Sequence, residues 1–198
     1  MKRIRIALMA ALTFLLEGCL TFEIMETRLQ LQGEGKPAVV TIDYLNISSD
    51  GKDTTGLSSD FTELLNHWRG DQFLLDRAND GMIVKSREVF IDNGKVVGRE
   101  TNVVKDLKDL HDFPTFWVAN GERVMLLDKD SDVELTESNG RILRTENNTL
   151  VVWPESASDL RWTQHNREFS ASRQKNRQLM LQMVREYLAK PGPAHLKN

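Results

Sequence analysis

One cysteine, Cys19, is present in 198 residues, so no disulfide can close within the chain and no set of cysteine ligands can hold zinc. Histidine is equally sparse: His67, His111, His165 and His195 include no pair at metal-ligand spacing such as four apart on a helix, and each reads as a surface or boundary residue. No nucleophile elbow, phosphate-binding glycine loop, dinucleotide fingerprint or zinc-protease helix occurs. No cofactor and no metal are therefore expected. A surplus of basic charge is also lacking. The formal net charge is −3, which offers nucleic acid no general attraction. After the first twenty residues no apolar run reaches the ~20 residues needed to span a bilayer, and no low-complexity tract is long enough for a disordered stalk.

What is there begins with the N-terminus. Lys2, Arg3 and Arg5 form a basic head, and an apolar run of about eleven residues from Ile6 to Leu16 follows, the size of a signal-peptide core. The run closes on Leu16-Glu17-Gly18-Cys19. This stretch resembles the lipobox of bacterial lipoproteins, with leucine three positions before the cysteine and a small residue directly before it. Glu17 departs from the small or hydroxyl residue usual at its position. The resemblance covers about nineteen residues and implies an address rather than an activity. Leu16 and Gly18 would be read by the signal peptidase, residues 1 to 18 removed, and Cys19 acylated as the lipidated N-terminus. Leu20, where aspartate would mark inner-membrane retention in two-membrane bacteria, is then permissive for the outer membrane, with the domain facing the periplasm. The alternatives are a secretory leader with an incidental cysteine, or an N-terminal helix in which Cys19 is a small buried hydrophobe. An acylated thioether would also remove the liability of an unpaired thiol in an oxidising compartment.

Cleavage would leave about 180 residues, enough for one well-buried core, with about 23 basic and about 28 acidic side chains. Residues 19 to 190 are expected to form a single domain, with 191 to 198 as a tail. From Leu20 to Gln32 apolar residues alternate with polar ones, and Val40, Ile42 and Tyr44 alternate again beyond Gly33 to Pro37, giving a hairpin. Asp60 and Glu63 suggest a capped start for a helix carrying Phe61, Leu64, Leu65 and Trp68, interrupted at Gly70 before a second short helix. Asp92-Asn93-Gly94 predicts a hairpin between 83–91 and 95–104. A short helix is expected over 105–112. Strands at 124–127, 133–135, 141–144 and 150–153 are spaced for a meander. Trp153-Pro154 closes the sheet, and a loop leads past Trp162 into a final helix from about 168 to 190.

Four constellations could carry chemistry. Asp128, Asp130 and Asp132 resemble the start of a calcium loop, but Val133 stands where glycine is needed and Asn139 where a bidentate glutamate is, so an acidic turn is the plainer reading. Asp43, Glu63, Asp71 or Asp76 could supply a catalytic carboxylate pair if the fold assembled two of them. Trp68, Trp117, Trp153 and Trp162 could line a cleft, although core packing is their usual use. Arg167, Arg173, Lys175 and Arg177 crowd the start of the last helix, where the dipole disfavours cations, and could meet an anionic headgroup or an acidic partner. The fold class expected is α+β: a mainly antiparallel sheet of hairpins covered by a helix pair and a C-terminal helix. The function expected is that of a lipid-anchored envelope protein that binds or scaffolds another envelope protein or a small ligand. A lipid-anchored hydrolase of cell-wall sugar or peptide is the other reading.

Overall fold

The computed structural model describes residues 20–33, 36–49, 54–107, 114–128, 132–167, 169 and 174–190. The Cys19 lipobox, the helix expected over 105–112 apart from its first three residues, and the 191–198 tail lie outside them. Among the described residues, three helices and twelve strands, the strands all paired antiparallel, make an α+β fold. Strands β2 (Ile24–Gln30), β3 (Ala38–Leu45), β5 (Met82–Asp92), β6 (Lys95–Val104), β9 (Val133–Ser138) and β12 (Asp159–Asn166) build a six-stranded sheet in the order β5-β6-β3-β2-β12-β9. A second sheet has the order β10-β11-β8-β7, from β7 (Thr115–Ala119), β8 (Glu122–Asp128), β10 (Arg141–Arg144) and β11 (Asn148–Pro154). Two short strands, β1 (Leu20–Thr21) and β4 (Ser48–Ser49), pair with each other.

The two expected hairpins are present, β2 pairing with β3 and β5 with β6. Asn93 and Gly94 have φ of 47° and 74°, and Asn120 and Gly121 have 54° and 74°. Two successive positive φ values define the tight turn whose twist matches the flanking strands. The meander is not formed as expected. After β8 the chain crosses to the six-stranded sheet for β9, returns for β10 and β11, and crosses again for β12. The segment past Trp153-Pro154, expected as a loop, is β12, which joins β2 to β9 inside the large sheet.

Alternation along the strands sorts the large sheet into two faces. On one face Leu29, Val40, Ile42, Met82, Val104, Leu135, Leu160 and Trp162 are buried against Met125, Leu127, Val151 and Trp153 of the smaller sheet. Farther along the same face, Val96 and the half-buried Val84, Val89 and Ile91 meet the helices α1 (Thr54–Arg69), α2 (Asp71–Asn79) and α3 (Gln174–Leu188). There Leu57, Leu64, Trp68, Phe73, Met180 and Val184 complete a second apolar cluster. A bulge between Val84 and Ser86 lets both halves of β5 face the helices. Gly98 is required at this contact, since a Cβ there would stand 2.6 Å from Trp68 Cζ2.

The helix pair breaks at Gly70 as expected, but α1 starts at Thr54 rather than at Asp60. Asp60 is therefore no cap: it is buried within the helix and accepts a hydrogen bond from the Ser49 hydroxyl. Between the two apolar clusters lies a buried ion pair. Glu100 is fully enclosed, and four donors converge on its carboxylate: Arg77 Nε at 2.8 Å, Arg77 Nη2 at 2.8 Å, Tyr44 Oη at 2.9 Å and Asn102 Nδ2 at 3.0 Å. Those four fill its acceptor sites. Burial, the Glu100 charge and the hydrogen bond to it push the Tyr44 phenol far above its ordinary range. Burial opposes the Arg77 charge, but Tyr44, Glu100 and Asp80 outweigh it and hold the guanidinium protonated more firmly than usual.

Candidate functional site

The opposite face of the six-stranded sheet is open over β6, β3, β2, β12 and β9. Its side chains are set by register. One row across the sheet reads Glu88, Arg99, Asp43, Glu26, Thr163 and Glu137; the next reads Ser86, Thr101, Thr41, Arg28 and Arg161. All of these but Glu88 and Ser86 line an open trough of about 720 Å³, together with Ser138 and Asn139. Five strands contribute, from Glu26 near the start of the chain to Thr163 near its end.

The arginines of this trough are held in place. Arg99 makes a two-pronged contact with Asp43, both bonds at 2.6 Å. The hydrogen bonds it donates there outweigh partial burial and raise its pKa. Arg28 Nε donates to Asp159 at 2.7 Å, and Arg161 grips the same carboxylate. These bonds from Arg161 and then Arg28 hold the Asp159 carboxyl down at about 2. The Asn139 side chain joins the trough rim to the core: its Oδ1 accepts both Trp153 Nε1 and the Arg161 backbone N–H, at 2.8 Å each. Glu26 and Glu137, by contrast, are exposed and have no side-chain partner among the described residues. One strand, β12, lies between theirs, which puts them roughly 10 Å apart at the strand spacing.

Such a face offers fixed guanidinium groups, threonine hydroxyls and two uncommitted carboxylates, with the Arg99 guanidinium 5.2 Å from the centroid of the Phe90 ring. It suits a polar ligand recognised by hydrogen bonds and charge.

Of the four carboxylates weighed from sequence, only Asp43 reaches the trough, where Arg99 occupies it. Glu63, Asp71 and Asp76 belong to helices on the other side of the sheet. Burial and then the Asp60 charge raise the Glu63 carboxyl, and Asp76 accepts from Gln72 at 2.7 Å. The pair suggested by composition is not assembled. Trp68, Trp153 and Trp162 are core residues, and Trp117 alone is exposed, on the edge strand β7. His67 packs edge-on to Phe73 with centroids 4.9 Å apart, and burial lowers its pKa. His165 Nε2 lies 3.9 Å from Glu23. His111 and His195 fall outside the described residues. So do Asp130 of the acidic loop and the Asp128 side chain; the Asp132 carbonyl accepts the Arg167 N–H at 2.9 Å. Among the described residues no group of three or more metal-ligating side chains is found. Leu16, Gly18 and Cys19 are outside the described residues, but Leu20 is already a strand residue paired with Ser49 and half-buried against the helix cluster.

The sequence signal for the trough was present in β12. Leu160, Trp162 and Gln164 are buried while Arg161, Thr163 and His165 point to the other face, a period of two that runs through the whole segment. No protein-family model, curated protein or solved structure matches the chain. Among the described residues no helix is long and apolar enough to cross a membrane.

Proposed function

We propose that this is a lipid-anchored cell-envelope protein, tethered through acylated Cys19, which binds another envelope component on the open polar face of its six-stranded sheet. The anchor rests on the basic head, apolar core and Leu16-Glu17-Gly18-Cys19 of the leader. The observation that carries the binding role is the trough itself: Arg28, Arg99 and Arg161 are each fixed by a carboxylate before any ligand arrives, and Glu26 and Glu137 are left uncommitted. Preorganised donors lower the entropic cost of capture. Binding without catalysis is preferred over hydrolysis because the two uncommitted acids are both solvent-exposed and no activated nucleophile accompanies them among the described residues. In a two-membrane bacterium the protein would sit in the outer membrane and face the periplasm. Nucleic acid is not among the partners this charge distribution suits.

A photo-crosslinking residue placed at Thr163 in intact cells, with one at Leu143 for comparison, tests the assignment of the face. An adduct formed from Thr163 and lost when Glu26 and Glu137 are both changed to lysine supports it. Equal adducts from both positions, unaffected by the lysine changes, would remove the trough from the account.

A further inference from the structure

The basic start of α3 lies beside the residue that follows Cys19. Leu20 pairs with Ser49, and the Ser49 carbonyl accepts a hydrogen bond from Asn176 Nδ2 at 3.0 Å. A second route converges on the same place. Asn166 Nδ2 donates to Thr21 Oγ1 at 3.1 Å, the Asn166 carbonyl accepts the Phe169 N–H at 3.2 Å, and the Arg177 guanidinium lies over the Phe169 ring, 5.0 Å from its centroid. Lys175 and Arg177 thus flank Asn176, which contacts the strand partner of Leu20. One peptide bond, ~3.8 Å between Cα atoms, separates Leu20 from Cys19.

The cations at this corner differ in their pairing among the described residues, outside which Arg173 lies. Arg167 has Glu134 at 3.7 Å. Lys175 is exposed with no side-chain partner among the described residues, and Arg177 Nε is buried with no hydrogen-bond acceptor. The chain as a whole is acidic, so two cations with no acidic partner among the described residues are a local feature rather than an overflow of positive charge. Resting on the lipid-anchor reading, we infer that Lys175 and Arg177 contact anionic phospholipid headgroups and act as a second membrane attachment, fixing which side of the domain faces the bilayer. The acyl chains give the occupant: with no tether between Cys19 and β1, the surface nearest the anchor is the one brought to the headgroups. Each cation near an anionic surface strengthens partition about five-fold, and one lipid signal plus a basic patch is a recognised route to stable attachment.

The test uses the acylated protein with a single cysteine introduced at Gln178, labelled with a fluorophore and reconstituted into vesicles bearing a headgroup quencher. Glu186, on the same helix two turns on (~12 Å), takes the label in a comparison sample. Quenching at 178 in phosphatidylglycerol vesicles should fall several-fold in phosphatidylcholine vesicles, in high salt and in the Lys175→Glu variant, and should be weak at 186. Quenching that ignores lipid charge, or that is equal at 178 and 186, overturns the inference while leaving acylation, read by intact mass, standing. An unacylated mature mass overturns the anchor and this contact together. Protection of residue 178 in native envelopes but not in phosphatidylglycerol vesicles assigns the cluster to an acidic protein partner and also overturns it.

Discussion

Replacing Glu100 with glutamine changes the volume of the side chain little but removes the one negative charge that Arg77 shares fully buried. Four donors converge on Glu100, and an amide can accept with its oxygen alone; its NH2 would be turned toward donors. Arg77 is 8% exposed, so water cannot take over. Breaking a buried pair by removing one member costs about 3–5 kcal/mol. Asp80, 3.1 Å from Arg77 Nη1, remains and places the cost near the lower end, about 3 kcal/mol. For a domain of this size, 1 kcal/mol shifts the midpoint by about 2–4 °C, so thermal unfolding followed by circular dichroism should show a loss of about 6–12 °C. Adding Arg77→Met should recover part of it, because the orphaned charge is gone. A midpoint within 2 °C of wild type for Glu100→Gln, or a double variant far less stable than either single one, would refute the view that this pair is enclosed and mutually dependent.

Gly98→Ala would drive a methyl to 2.6 Å from Trp68, and a loss of about 1–3 kcal/mol is expected in urea denaturation; an unchanged midpoint would mean α1 does not press on β6 there. Tyr44 binds its proton more tightly folded than unfolded, so its contribution is complete below the ordinary phenol value of about 10 and declines as pH rises beyond it. In a Tyr187→Phe background, ultraviolet titration should show phenolate only together with unfolding, and reversible ionisation near pH 10 with intact circular dichroism would refute this. Asp159 is the opposite case. Its lowered pKa adds stability above the ordinary carboxylate value and loses it as pH falls toward about 2. Carbon-detected titration should place its midpoint near 2 in wild type and raise it in Arg161→Ala; a midpoint near 4 in both would dissolve the Arg28–Asp159–Arg161 bridge.

The parts of the fold that were legible in the sequence are those fixed by local chemistry. Asn93-Gly94 determines a turn because both residues accept positive φ, and the hairpin follows from it. Gly70 ends α1 where expected. Asp60 misled because a capping pattern says where a helix can start, not where it must, and Leu57 buries one turn earlier. β12 was hidden by Gln164, a polar residue at an inward position that accepts Trp162 Nε1 at 3.2 Å. Losing β12 lost the trough, since Arg161 and Thr163 join Arg28 and Glu26 only through the pairing of strands more than a hundred residues apart. Register between distant strands is tertiary information, and no local pattern contains it. The same limit applies to the carboxylates: the sequence supplied them, but which face of the sheet each would occupy was decided by the path of the chain.

A lipid on Cys19 is proposed to hold the domain at a membrane, and the intact mass of the mature chain, together with membrane fractionation of wild type and Cys19→Ser, measures this directly. Wild type is expected to lack residues 1 to 18, carry acyl mass at its first residue and float with membranes, whereas Cys19→Ser is not acylated and loses its mature form. A Cys19→Ser protein with the same mature mass as wild type that still floats with membranes would contradict it.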